Sequence, residues 1–97
     1  MQGENDTSHL PDMDEAHLER VTLGLIGLLK ARREELGLTT WQLAEAADLN
    51  QSAISLLERG KRNPTLDTLL RWADAMDFDL GEALQKAQRE AGKRARS

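Results

Sequence analysis

The chain has 97 residues, no cysteine and a formal net charge of −4. That length supports one small domain, and the absence of cysteine excludes disulfides and thiolate metal sites. With Trp41, Trp72 and Phe78 as its few aromatics, the core has to be built from Leu, Ile, Ala and Val, and a core so small makes self-association a natural source of stability.

Residues 1–13, MQGENDTSHLPDM, are polar and acidic and carry Pro11, which predicts a disordered acidic N-terminal arm. The alternative for this stretch is an arm that mimics DNA or docks a partner. Residues 1–19 hold six acids and no Lys or Arg, whereas residues 20–97 hold 13 bases against 11 acids. The overall negative charge therefore comes from the start of the chain, and a binding face responds to local charge. The acidic start lacks the basic region of a secretory signal, and no apolar run approaches the roughly 18 residues of a membrane span. No membrane association is expected, and a cytoplasmic location follows.

From Asp14 to Leu36 the pattern is helical. Leu18, Val21, Leu25, Leu28, Leu29 and Leu36 recur at spacings that build one broad apolar face. Asp14 and Glu15 suit the positive end of a helix dipole. Gly24 and Gly27 fall inside this helix, where each costs up to about 1 kcal/mol relative to Ala. They are either tolerated or mark the close approach of another helix.

The stretch Thr39–Gly60, TTWQLAEAADLNQSAISLLERG, reads as two short helices joined by a tight turn. Thr39 followed by Gln42 is a capping-box signature. Leu43, Ala44 and Ala47 form the apolar face of the first helix. Asp48-Leu49-Asn50 breaks the pattern, and Asn50 is a strong N-cap for a second helix over Gln51–Arg59. Ile54 and Leu57 point inward, which sends Gln51, Ser52 and Ser55 to the opposite side. Gly60 suits a helix end. This is the helix-turn-helix arrangement, whose second helix can lie in a DNA major groove. Trp41, in the first turn of the first motif helix, looks outward. There it either donates its indole N–H to a phosphate or packs partly on the domain surface.

Thr65 then caps a helix over Leu66–Met76 with Leu66, Leu69, Leu70, Ala73 and Met76 on its buried face and Trp72 in the core or an interface. Asp79 caps the last helix, with Glu82 at the capping-box position and Ala83, Leu84 and Ala87 able to pack inward. From Gln85 to Ser97 five bases face Glu90 alone, which reads as a solubilising, frayed basic end, the alternatives being a tail that follows a DNA backbone or neutralises the acidic N-terminal segment. The domain is expected over 14–91, with a basic C-terminal tail at 92–97.

The run LGLTTWQLAEAADLNQSAISLLERGKRNP, Leu36 to Pro64, resembles the helix-turn-helix family of phage Cro and repressor proteins, the XRE-like regulators. Gly37, Thr39, Leu43-Ala44, Ile54-Ser55 and Glu58 to Pro64 carry the resemblance, which extends over roughly residues 24–84 with the flanking helices. The chain has Thr40 where the family usually has Gln, and Asp48 where it usually has Gly. Asp tolerates the left-handed turn conformation better than most residues. The resemblance implies an all-α, five-helix repressor-type domain with an extended first helix. It also implies an ion pair between Arg33 and Glu58, and a loop, Lys61-Arg62-Asn63, lying along the DNA backbone.

These observations predict a sequence-specific transcriptional regulator that binds double-stranded DNA as a homodimer on a palindromic operator. Pairing would run through the last helix or, second, the N-terminal extension of the first. Gln51, Ser52 and Ser55 are the base-contacting candidates, because Gln can pair with adenine through two bonds and Ser with several bases. Thr40, Asn50, Lys61, Arg62 and Asn63 are the phosphate-contacting candidates. Two alternatives remain: an antitoxin or restriction-modification controller with a toxin or other protein partner, and a protein-interaction adaptor that has lost DNA binding. Nothing points to an enzyme, a cofactor or a metal. His9 and His17 are the only histidines, and no zinc, serine-hydrolase or phosphate-loop motif is present. Asp74, Asp77 and Asp79 lack the closing Glu of a calcium loop.

Overall fold

A computed structural model describes the backbone of residues 15–96. The acidic arm at 1–13, with His9, lies outside the described residues, as do Asp14 and Ser97. Five helices follow in order: α1 (Glu15–Glu35), α2 (Thr40–Ala47), α3 (Gln51–Glu58), α4 (Leu66–Ala75) and α5 (Leu80–Arg96). No strand occurs among the described residues, so the architecture is all-α, with a long first helix. None of these helices is long and apolar enough to cross a membrane.

The helix starts follow from side-chain chemistry. Thr39 Oγ1 accepts the Gln42 backbone N–H at 3.0 Å while Gln42 Oε1 accepts that of Thr39 at 2.9 Å, a complete capping box. Asn50 Oδ1 accepts from Ser52 N at 2.8 Å, Thr65 Oγ1 from Thr68 N at 3.1 Å, and Asp79 Oδ1 from Glu82 N at 3.0 Å. Each satisfies an N–H that the first helical turn leaves without a partner.

The ends of α1 to α4 share one closure. A left-handed residue stands at Gly37, Asp48, Gly60 and Asp77. The amide after it reaches back five residues, as in Leu38 N to Arg33 O at 3.1 Å and Leu49 N to Ala44 O at 2.8 Å. Lys61 N to Leu56 O and Phe78 N to Ala73 O, both at 2.9 Å, repeat the pattern. This is the Schellman closure that uses up otherwise orphaned carbonyls. Glycine occupies two of the four positions, and at the other two aspartate, one of the few side chains that adopts this conformation readily, takes its place.

The core gathers Leu25, Ile26 and Leu29 of α1, Leu43 and Ala44 of α2, Ile54 and Leu57 of α3, Trp72 and Ala73 of α4, Met76 just after it, and Ala83 and Ala87 of α5. Trp72 is wholly buried. That ring turns α4: the buried stripe runs through Leu69, Trp72, Ala73 and Met76. Leu66 and Leu70, expected inside, are therefore exposed. Leu18 is also exposed, because α1 begins before the part of it that reaches the core. Leu36 is exposed because it stands in the turn after α1 and no longer follows that helix's face.

α5 packs chiefly on α1. Its contact stripe is Ala83, Ala87 and Ala91, all buried at a spacing of four, and Leu84, expected to pack inward, is exposed because it lies about 100° round the helix from Ala83. A Cβ on Gly24 would meet Ala87 Cβ at 3.6 Å, whereas one on Gly27 would meet nothing within 4 Å. Gly24 thus marks a helix approach within the domain, and Gly27 is a tolerated glycine. The frayed end expected from Gln85 is helical to Arg96 instead, since Ala87 and Ala91 continue the contact with α1.

Candidate nucleic-acid interface

The site is built on α2, the turn and α3. Asp48, at φ 57° and ψ 48°, folds the chain back so that α3 crosses against α2. Ile54 and Leu57, 0% and 2% exposed, anchor α3 to the core. The opposite side of α3 carries Ser52, exposed, with Gln51 and Ser55 half-buried beside it.

Gln51 is held. Its Nε2 donates to Thr40 Oγ1 at 3.0 Å, a link from the first turn of α3 to the first turn of α2. Sequence reasoning placed Thr40 only toward phosphate and missed this bond. The available signal was that each residue directly follows a helix cap, Thr39 or Asn50. The bond occupies one of the two amide hydrogens of Gln51, leaving its other N–H and its Oε1 free. The Thr40 hydroxyl, while accepting, can still donate. Asn50 Oδ1 is occupied by the cap bond, which leaves its NH₂ as a donor.

Arg33 and Glu58 lie opposite each other at the far end of α3. Nε donates to Oε2 at 2.7 Å and Nη2 to Oε1 at 2.9 Å, while Nη1 donates to the Leu38 carbonyl at 2.6 Å. The two side chains are 12% and 7% exposed. The hydrogen bond to Glu58 raises the Arg33 pKa above its ordinary value, against a smaller opposing effect of burial. The guanidinium ties α1, the α1–α2 turn and the end of α3 together.

Beyond Gly60 the loop residues Lys61, Arg62 and Asn63 are all exposed. Neither base pairs with an acid among the described residues. The loop leaves α3 close to α1, since a Cβ on Gly60 would stand 3.2 Å from Leu23 Cδ2. Asn63 shares a cleft with Glu15, Leu18, Glu19 and Thr22. Two acids of the first turns of α1 therefore border the basic loop and weaken its field.

Arg71 on α4 was not foreseen. It donates to Asp67 at 2.9 Å and reaches Asp48, in the turn, at 3.5 Å. Its pKa is raised, first by the bond to Asp67. The pair with Asp48 is solvent-exposed, so it steadies the turn only slightly.

The helix-turn-helix family profile matches residues 29–82. Over 52 residues, 54% of the chain, the sequence is 42% identical to the immunity repressor protein of Bacillus phage phi105, and the match covers 36% of that protein. Over 53 residues, again 54% of the chain, it is 43% identical to an uncharacterized HTH-type transcriptional regulator, y4dJ, of Sinorhizobium fredii (strain NBRC 101917 / NGR234), of which 69% is covered. The chain thus spans about a third of the phage repressor and about two thirds of the second relative.

Proposed function

We propose that this chain, which belongs to the XRE type of the helix-turn-helix family of DNA-binding transcriptional regulators, binds a palindromic operator as a homodimer and controls transcription by occupying it. The observation that carries the reading is the fixed amide of Gln51. It stands in the first turn of α3 with one N–H and one carbonyl oxygen free, and the bond to Thr40 sets its plane. That is the donor–acceptor pair that matches N7 and N6 of adenine. Ser52 and Ser55 share its side of the helix and complete the base-reading set. The Thr40 hydroxyl, the Asn50 amide, Lys61, Arg62 and Asn63 would set the register on the phosphates.

One recognition helix reads only a few base pairs, so two copies on paired half-sites supply the rest of the sequence information. A protein of this kind works in the cytoplasm, where its operator is, and it needs no cofactor or catalytic chemistry. The test is titration against a random duplex and against a duplex selected from a random pool, at several salt concentrations. A dimer that neutralises about six phosphates shows a log–log salt slope near −5, together with tighter binding to the selected duplex. A slope near zero with no sequence preference would discard the reading in favour of a protein-interaction adaptor.

A further inference from the structure

The two tryptophans have opposite surroundings. Trp72 is wholly buried, while Trp41 is 70% exposed. Trp41 is the second residue of α2, next to Thr40, whose hydroxyl accepts the Gln51 amide. The exposed ring is thus continuous with the end of the helix pair that presents Gln51. Its indole N–H has no acceptor among the described residues. One residue on and one turn on along α2, Gln42 and Glu45 are exposed and polar, so on this helix the ring is not part of a wider apolar patch of the kind that binds another protein.

We infer that Trp41 is a further DNA contact, outside the base-reading set: the ring lies against the sugar edge of the backbone and Nε1–H donates to a phosphate oxygen. The inference rests on the reading that α3 and its following loop face DNA. A duplex backbone offers an apolar deoxyribose edge beside an anionic oxygen, and indole offers an apolar face beside a single N–H donor. A contact of this type carries no sequence information. Because the donor is neutral, it also displaces no counterion, so its contribution does not depend on salt.

The experiment uses the full chain with two fluorescein-labelled duplexes, one selected from a random pool and one of random sequence. Label anisotropy and tryptophan emission are followed together. DNA binding changes the emission of the wild-type protein, and the change is absent in Trp41→Phe, where only buried Trp72 still emits. Trp41→Ala weakens both duplexes alike, by about tenfold for each of the two charge-assisted hydrogen bonds that a dimer loses, with an unaltered salt slope and melting temperature. If wild-type anisotropy rises while its emission stays constant and Trp41→Ala binds as tightly as wild type, Trp41 is no DNA contact and its ring is left to a protein partner. If anisotropy rises with neither duplex, the DNA reading itself fails and takes the inference with it.

Discussion

Replacing Glu58 with alanine removes both oxygens that accept from Arg33, at 2.7 and 2.9 Å. The Arg33 side chain is only 12% exposed, too little for water to solvate the stranded guanidinium fully. It keeps the Leu38 carbonyl at 2.6 Å and has Glu34 at 4.0 Å, on a side chain largely in solvent. Breaking one side of a buried pair costs about 3–5 kcal/mol, and the surviving partners put this case near the lower end, about 3 kcal/mol. A domain of this size loses about 4–8 °C per kcal/mol, so the melting temperature falls by roughly 12–24 °C. The assay is thermal unfolding by circular dichroism at one protein concentration, held constant because pairing of copies also contributes to the midpoint. Arg33→Met strands the carboxylate instead and should cost a similar amount. The double variant Arg33→Met, Glu58→Leu should cost clearly less than the two single losses together, because it buries no lone charge. A Glu58→Ala midpoint within about 2 °C of wild type, or strictly additive losses, would refute the reasoning and show two independent surface charges.

Gln51→Ala should cost about 1–3 kcal/mol for each half-site of the selected duplex and little on random DNA, relaxing discrimination at one position per half-site. Site selection from random pools with both proteins checks this, and identical consensus motifs would remove Gln51 from the base-reading set. Lys61→Ala with Arg62→Ala should weaken all sequences alike and flatten the salt slope by about one unit for each phosphate that is no longer neutralised; an unchanged slope would place both side chains in solvent. The protein should sediment as a dimer at tens of micromolar, with half-sites about 10 base pairs apart. A monomer that stays single on its selected duplex rules that out.

Much of the fold was legible because its signals are local. Thr39 with Gln42, Asn50, Thr65 and Asp79 announce helix starts by residue type and spacing, since a cap is a bond between a side chain and a backbone amide a few residues away. The inward turn of Ile54 and Leu57, which leaves Gln51, Ser52 and Ser55 on the other side of α3, follows equally from period. The rotation of α4 did not, because Leu66 and Leu70 compete with Trp72 for the apolar face, and only the space available in the assembled core decides between them. The stripe of Ala83, Ala87 and Ala91 was read short, since alanine carries little hydropathy and the basic residues around it dominate the pattern. Arg33 and Glu58 are 25 residues apart, beyond any local rule, and only family resemblance brought them together. The bond from Gln51 to Thr40 spans two helices and needed the angle set by Asp48.

α1 packs chiefly on α5, and the whole of α2, α3 and α4 lies between them in the chain. On the ribosome that order matters. The helix-turn-helix unit closes through short-range contacts as it emerges, while the side of α1 around Gly24 stays bare until α5 has been made. A nascent chain stopped before Ala83 therefore carries an uncovered apolar stripe, the state that chaperones and proteases engage. Closure of the core thus waits on the translation of α5, whose Ala83 and Ala87 complete it.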